Sequence, residues 1–158
     1  MKRLIRKIYV KWLCLIGKAI DISSTSKFPA GYLSNFTPYK FTFRGFEFTS
    51  MESLLQGLKF ETVETQNGVF ERVGVKAKLR GKKRKWYLDQ TLYWQGTPMK
   101  RDSEEYKNIV REAFYALAEN IDFQQTLLAT GDKRLYHTMG KSDPTRTILT
   151  EEEFCSIL

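Results

Sequence analysis

One short stretch of the chain spaces an acid, an amide and an amine for a common helical face. Glu52, Gln56 and Lys59 follow one another at intervals of four and three residues, so a helix through them presents all three on one stripe. Leu54 and Leu58 fall on a different face, where they can anchor the helix in the core. Such a stripe is typical of a helix that lines a polar cleft, where a carboxylate can move protons and a desolvated amine can attack.

The same spacing also fits a purely structural role. Thr49 to Glu52 has the T-x-x-E form of a capping box, which predicts a helix that begins there and runs through about Glu61. On this interpretation Glu52 only caps the helix, and Lys59 is a solvated lysine. The spacing alone leaves both interpretations open.

Patterns elsewhere predict the elements that must position this helix. Residues 40–48 alternate as KFTFRGFEF with Gly45 at a turn, which predicts a short β-hairpin. Three further helices are expected: one from about Asp102 to near Asn120, a short one around Phe123 to Leu128 stopped by Gly131, and a last one opened by the capping box Thr150 to Glu153. The predicted class is mainly α (α+β), with one domain over 1–158, of which 1–19 form an N-terminal element.

Composition indicates a globular protein with an affinity for anions. Aromatic residues make up 14% of the 158 residues, more than a minimal core needs, so some rings are expected to line a pocket for flat ligands. The net charge is +8, with basic residues concentrated in 2–11 and 76–85 and acidic ones at 151–153. This favours a polyanionic substrate or partner, although a basic block is also typical of a solvated loop.

Nothing in the sequence implies a metal or a redox cofactor. The two cysteines, Cys14 and Cys155, match no metal-ligand or redox spacing, and the chain has one histidine, so two reduced thiols are expected and a zinc site is not. The N-terminal twenty residues are too charged to span a membrane and show no small-residue cleavage site. We therefore expect a cytoplasmic protein with no membrane contact.

Several motifs, in order, resemble the YbiA-like (NADAR) family. The resemblance covers roughly residues 20–158, and its order and spacing are more specific than any single motif. The matching segments are Leu33-Ser34-Asn35-Phe36, Ser50-Met51-Glu52, Gln56-x-x-Lys59-Phe60, Ala77-Lys78, Leu92-Tyr93-Trp94, Arg101-x-Ser103-x-Glu105-Tyr106, Leu135 to Lys141, and the terminal ILTEEEF.

The resemblance implies a single helical domain with a small β-hairpin, acting as an N-glycosidase. The reaction is hydrolysis of the C–N bond between ribose C1 and a nucleobase-like group. One branch of the family acts on ribosylated pyrimidine intermediates of riboflavin synthesis; another removes ADP-ribose from guanine, including guanine in DNA. This chain has GKSDPTRTILT after His137-Thr138-Met139 instead of the Tyr-Trp-Gly stretch of the riboflavin branch. Removal of ADP-ribose from guanine, and thus reversal of ADP-ribosylation, is therefore the expected activity.

Two mechanisms agree with the residues that the resemblance singles out as catalytic, Glu52 and Lys59. Glu52 can stabilise an oxocarbenium-like charge at C1, activate water or relay a proton. Alternatively Lys59 attacks C1 and opens the sugar as a Schiff base, with Glu52 as its proton partner. The sequence does not separate them. A third alternative is a non-catalytic module that binds NAD, ADP-ribose or a nucleic acid with the same pocket.

The resemblance also implies a set of substrate-binding residues. Several have ordinary alternatives: Asn35 can satisfy its own turn, Trp94 can sit in the core, Arg101 can pair with an acidic helix start, and His137 can be structural. The full set is Asn35, Phe36, Gln56, Lys78, Trp94, Arg101, His137, Gly140 and Lys141. The expected partner is a substrate that contains ADP-ribose or ribose phosphate, free or carried on nucleic acid.

Overall fold

The structure is a computed structural model that describes residues 2–158. Within that range the chain forms seven α-helices and three two-stranded sheets in one mixed domain, which confirms the predicted mainly α (α+β) class. The elements in chain order are α1 (Lys2–Leu15), β1 (Ala19–Asp21), β2 (Phe41–Phe43), β3 (Phe46–Phe48), α2 (Met51–Gly57), α3 (Val63–Phe70), α4 (Gly74–Lys82), a 3₁₀ turn (Trp86–Leu88), β4 (Thr91–Trp94), β5 (Thr97–Lys100), α5 (Glu104–Leu117), α6 (Ile121–Leu128), β6 (Arg134–Tyr136) and α7 (Glu151–Ile157).

Two antiparallel hairpins share one turn geometry. β2 and β3 pair with Phe43 opposite Phe46, as predicted, and the turn residues Arg44 and Gly45 have φ of 48° and 81°. These positive φ values give a turn whose twist matches that of the strands. β4 and β5 form a second hairpin with φ of 47° at Gln95 and 83° at Gly96. This hairpin was not predicted, because Pro98 interrupts the strand pattern in the sequence.

A third pair of strands joins distant parts of the chain. β1 and β6 run parallel, with Ala19 opposite Arg134 and Asp21 opposite Tyr136. Three-residue strands so far apart carry no local pairing signal, so this sheet was not predicted. Its consequence is that the segment after β6 lies beside the N-terminal part of the chain.

The start of α2 differs from the predicted capping box at Thr49 to Glu52. Ser50 is the N-cap, its side chain exchanges hydrogen bonds with Ser53, and the helix ends at Gly57, short of Glu61. The Thr49 hydroxyl donates instead to the carbonyls of Phe70 and Arg72. The capping interpretation of Glu52 is therefore wrong, because the serine hydroxyls already satisfy the first turn.

Helix boundaries nearer the C-terminus agree better with the predictions. The Thr150–Glu153 capping box is present at the start of α7, and Gly131 follows α6 with φ of 56°. Asn120, predicted to end α5, instead caps the N-terminus of α6, where its side chain accepts from Asp122 N and Phe123 N. Asparagine is a strong N-cap residue, and α5 ends earlier, at Leu117.

The core is built around α2. All seven residues of this helix are buried, and Leu54 and Leu58 pack with Phe41 and Phe48 of the first hairpin in one cluster, as predicted for the two leucines. Each fully buried side chain of this size contributes about 1.5–3 kcal/mol through the hydrophobic effect. The polar residues of α2 are consequently held on a well-packed helix.

By contrast, α1 lies on the periphery. Among its residues 3–15 only Val10 is buried, and Arg6 forms an ion pair with Glu151 of α7. None of the helices within residues 2–158 is both long enough and apolar enough to cross a membrane.

Candidate active site

A cavity of about 540 Å³ opens beside α2, a size typical of small-molecule sites. Seven parts of the chain line it: the segment after β1, the turn before the first hairpin, α2 with Lys59 two residues beyond its end, α4, the segment from Arg84 into the 3₁₀ turn, the segment after β6, and the segment before and into α7. Its lining includes Asn35, Phe36, Glu52, Lys59, Lys78, Lys82, Arg84, Trp86, Tyr87, His137, Gly140, Lys141, Arg146 and Phe154.

The predicted polar stripe forms a continuous chain of hydrogen bonds at this cavity. Gln56 Nε2 donates to Glu52 Oε1 at 2.7 Å, and Lys59 Nζ donates to Gln56 Oε1 at 2.6 Å. Although α2 ends at Gly57, Lys59 N bonds to Gln56 O in a tighter turn, which keeps Lys59 on the same face. Glu52 and Lys59 line the cavity, while Gln56 is fully buried behind them and joins the two.

Lys59 has an unusual environment for a lysine. Its exposed fraction is only 8%. Burial lowers its pKa to about 8, the nearby charges of Lys78 and Lys141 act in the same direction, and Glu52 opposes them. A substantial fraction of the Lys59 amine is therefore neutral at a pH near 8, and the neutral amine is the form that can attack an electrophile.

Glu52 is buried and shared between two donors. Its exposed fraction is 4%, and its Oε1 atom lies 3.1 Å from Lys78 Nζ as well as 2.7 Å from Gln56 Nε2. Its backbone N–H donates to Asn35 O at 2.9 Å, which fixes the Asn35-Phe36 turn against the start of α2. A carboxylate held this way at a cavity can stabilise positive charge or exchange a proton with a substrate.

The close approach of α4 to α2 depends on a glycine. A Cβ placed on Gly81 would lie 2.0 Å from Gln56 Oε1, so any side chain there would displace the carboxamide that joins Glu52 to Lys59. At the other end of α4, Gly74 N donates to Ser50 Oγ, the N-cap of α2. These contacts bring Lys78 and Lys82 to the cavity.

His137 reaches the cavity with a defined tautomer. Its Nδ1 atom lies 2.7 Å from Ile22 O, and because a carbonyl only accepts, Nδ1 carries the proton. In the neutral form of the ring, Nε2 is therefore the acceptor. The ring packs edge-on against Phe154 at 5.4 Å. The structure thus gives His137 a structural contact and a place in the cavity wall.

The remaining wall is a close-packed turn held by α1 and α7. A Cβ on Gly140 would lie 2.7 Å from His137 Cδ2 and 3.1 Å from Glu151 Cβ, so glycine is needed for this packing. Glu151 accepts from His137 N at 3.1 Å and from both terminal nitrogens of Arg6 at 2.5 and 2.7 Å. Lys141, next in the chain, is exposed at the cavity edge.

Sequence reasoning missed several residues of the basic rim. Lys82, Arg84 and Arg146 line the cavity together with the rings of Trp86 and Tyr87. Arg84 Nε donates to Lys59 O at 3.3 Å, and the Arg146 guanidinium lies 4.5 Å from the Tyr87 ring centroid. Lys82, Arg84, Trp86 and Tyr87 lie in the run KKRKWY, which was a usable signal because it places basic residues directly beside two aromatic ones.

Besides Gln56, which lies behind the cavity, two predicted binding residues lie outside it. Trp94 packs with Phe43, Phe46 and Phe70 at ring distances of 5.4, 5.9 and 6.2 Å. Arg101 is 2% exposed and donates to the Glu153 carboxylate at 3.1 and 2.6 Å and to Thr147 O. Because its guanidinium is already engaged, Arg101 is not available for a phosphate, and both residues have structural roles.

The fold is that of YbiA-like proteins. The chain is similar to the Escherichia coli protein YbiA, known from an NMR structure, with a TM-score of 0.54 and 19% identity over 76% of this chain and 67% of that chain. Residues 27–158 match the model of the bacteriophage protein GP30.3 family, and the chain belongs to that family. It is also 34% identical over 142 residues to the uncharacterized 17.1 kDa protein of the Gp30-rIII intergenic region of Enterobacteria phage T4, covering 88% of this chain and 93% of that protein.

Proposed function

We propose that the protein is an N-glycosidase that hydrolyses the bond between ribose C1 and a base, removing ADP-ribose from guanine. The observation that carries the proposal is the buried chain Glu52–Gln56–Lys59 at the cavity, with a lysine pKa near 8. A buried acid and a partly neutral amine on one face are a poor choice for stability alone, because each charge is desolvated. They are a suitable pair for acid–base and nucleophilic chemistry.

In the proposed reaction the neutral Lys59 amine attacks ribose C1 as the bond to the base breaks. The leaving nitrogen takes a proton, the sugar ring opens, and C1 becomes a Schiff base with Lys59. Water then adds to C1 and releases the sugar and the free amine. Glu52 passes the two protons that Lys59 loses to the leaving nitrogen and to the ring oxygen, and in the hydrolysis step it passes the protons of the added water back to the amine. The net reaction consumes one water and yields the base and free ADP-ribose.

The charge of the cavity supports a substrate with several phosphates. Six cationic side chains line it (Lys59, Lys78, Lys82, Arg84, Lys141 and Arg146), while Glu52 is an acid at its floor. A diphosphate is attracted to such a rim, and Tyr87 and Phe36 offer ring surface for a base. The sequence GKSDPTRTILT, which includes Lys141 and Arg146, contributes part of this rim where the riboflavin branch has another motif.

The test compares product release from two substrates by one set of variants. Wild-type protein is expected to release ADP-ribose from guanine-ADP-ribosylated DNA faster than it releases base from a ribosylated pyrimidine. Glu52→Gln is expected to lose activity by roughly a hundredfold or more, while Glu47→Gln, an exposed acid on β3, keeps it. Full turnover by Glu52→Gln protein, or binding of ADP-ribose without turnover on either substrate, would contradict the proposal.

Reduction with borohydride tests the covalent step separately. A Schiff base on Lys59 is trapped as a stable secondary amine, and mass spectrometry of peptides then locates the added sugar. We expect the adduct on Lys59 in wild-type protein and none in Lys59→Met protein. Product release without any trapped adduct would favour direct attack by water assisted by Glu52.

A further inference from the structure

The outward side of α1 is apolar along its whole length. Seven large apolar side chains there are 47–78% exposed, and at about 100° per residue they fall within an arc of about 140°. We call this surface the outer face of α1; it consists of Leu4, Ile5, Ile8, Tyr9, Trp12, Leu15 and Ile16. An amphipathic helix usually turns such a stripe toward the core, and here the stripe faces solvent.

Contacts on the opposite side of α1 fix this orientation. Val10 is 1% exposed and packs against the body of the protein. Arg6 holds the Glu151 carboxylate with two hydrogen bonds, and Arg3 donates to Gly140 O at 3.4 Å. Rolling the helix to bury its outer face would break all of these contacts. The outer face of α1 therefore stays exposed and is free to contact a surface outside the protein.

The charge around the outer face identifies the kind of surface. The first twenty residues contain six basic residues and no acidic one. Lys11 and Lys18 are exposed, and Lys7 and Lys11 border the outer face along one edge. Tyr9 and Trp12 lie on the face itself with ring centroids 6.2 Å apart. Apolar and aromatic side chains bordered by lysines are typical of helices that lie at the surface of anionic lipid bilayers.

We propose that α1 docks the protein on an anionic lipid surface, lying in the plane of the interface. Its 14 residues span about 21 Å, less than the roughly 30 Å of a hydrocarbon core, so the helix rests on a bilayer and does not cross it. The expectation of no membrane contact was based on whether the N-terminal segment could span a bilayer, which surface docking does not require. The proposal is independent of the proposed enzyme activity.

A second copy of the chain is a poorer occupant of the outer face. Pairing two α1 helices would bring together two segments that carry only positive charge, which repel each other. Seven residues from each copy also fall well short of the about 20–30 residues a side of a standard interface. Both arguments favour lipid.

Vesicle sedimentation tests the proposal with the full-length protein. We expect binding to vesicles of phosphatidylcholine mixed with phosphatidylglycerol, and little binding to phosphatidylcholine alone. Ile8→Gln with Trp12→Gln is expected to weaken binding about tenfold or more, since both side chains insert into the interface. The matched control is Ile121→Gln with Leu128→Gln on α6, whose side chains are more exposed, at 63% and 78% against 61% and 53% for Ile8 and Trp12; it is expected to bind like wild type.

Tryptophan fluorescence gives a second, site-specific readout. Trp12 is 53% exposed, whereas Trp86 is buried and Trp94 is packed among phenylalanines, so a blue shift on adding anionic vesicles reports Trp12. Trp12→Phe is expected to retain binding and lose most of the shift. Equal binding by both double variants, equal binding to neutral vesicles, or a concentration-dependent dimer abolished by the Ile8 and Trp12 changes without any vesicle binding would each overturn the proposal.

Discussion

Lys59 has a lower pKa in the folded protein than in the unfolded chain. Burial lowers its pKa to about 8 in the folded protein, with Lys78 and Lys141 adding to the effect, against a usual value near 10.4. The folded state therefore binds this proton more weakly than the unfolded state. Below pH 8 the charged lysine destabilises the fold, and this destabilisation is relieved as the pH rises from about 8 toward the usual lysine pKa. This loss of stability agrees with the reactive amine that we propose at position 59.

Replacing this lysine should stabilise the protein and inactivate it. We expect Lys59→Met to raise the free energy of unfolding at pH 7 by about 1–2 kcal/mol, since a buried cation is removed and the side chain keeps its length. Urea denaturation measures the change, and activity is measured on the same preparation. Lys76→Met, at an exposed position of α4, should change neither. A Lys59→Met protein less stable than its control would contradict the argument.

The pH dependence of activity should follow the same amine. If neutral Lys59 is the attacking group, the rate rises with pH through about 8. Lys78→Gln removes a positive charge that lowers the pKa of Lys59, so its profile should shift to higher pH. Lys76→Gln, two residues away on the same helix, should leave the profile in place. An unchanged midpoint in the Lys78 variant would argue that another group titrates.

At the scale of elements, the contact between α2 and α4 determines the position of the Gln56 carboxamide, which lies behind the cavity wall. Gly81→Ala places a Cβ against Gln56 Oε1, which forces the carboxamide away from Lys59. We expect a loss of about 1–3 kcal/mol in stability and lower activity although Gly81 is not in the cavity wall. Gly68→Ala on α3 is the control, because no atom lies within 4 Å of its added Cβ. It should be neutral or stabilising by up to about 1 kcal/mol, as measured by thermal and urea unfolding.

The features that were predicted correctly from the sequence are those that short-range patterns determine. The Phe41–Phe48 hairpin, the Thr150 cap and the shared face of Glu52, Gln56 and Lys59 depend on residues a few positions apart, and periodicity captures such features. The capping box at Thr49 was misassigned because two serines compete for the same helix end.

The positions of the predicted site residues that lie outside the cavity depend on long-range contacts. Trp94 and Arg101 look like ligand-binding residues in the sequence, but their partners Phe43 and Glu153 are about fifty residues away. Likewise, only the folded chain shows that Gln56 joins Glu52 to Lys59 instead of lining the cavity. Residue type predicts what a side chain can do, and long-range packing decides what it contacts.

At the scale of the whole molecule, the ion pair between Arg6 of α1 and Glu151 of α7 connects the peripheral helix to the cavity wall. Burial alone would raise the pKa of Glu151, but hydrogen bonds from Arg6 and His137 N hold it below its usual value. A carboxyl with a lowered folded pKa stabilises the protein above its unfolded pKa, and this contribution is lost as the pH falls through the folded value. The attachment of α1 should therefore weaken in acid.

Arg6→Gln tests this attachment. Because Arg6 is half exposed, with 47% of its side chain accessible, we expect a loss of only about 1 kcal/mol at pH 7, shrinking toward zero below about pH 4. Arg44→Gln, which breaks an exposed pair with Glu112, should change stability by less than about 0.5 kcal/mol. Urea unfolding at the two pH values measures both variants. If Arg6→Gln lowers the free energy of unfolding by the same amount in acid as at pH 7, the contribution of Arg6 does not depend on the ionisation of Glu151.

The parallel pairing of β1 with β6 has a consequence for the order of folding. The ring of His137 reaches the carbonyl of Ile22 across 115 residues of sequence, and this segment forms one wall of the cavity. Contacts that close so long a loop are expected to form late, after the local hairpins and helices. The cavity wall formed by α2 should thus fold first. The cavity should bind a ligand only after β1 and β6 have paired and the wall after β6 is in place. Refolding followed by ligand capture should lag behind refolding followed by helix content.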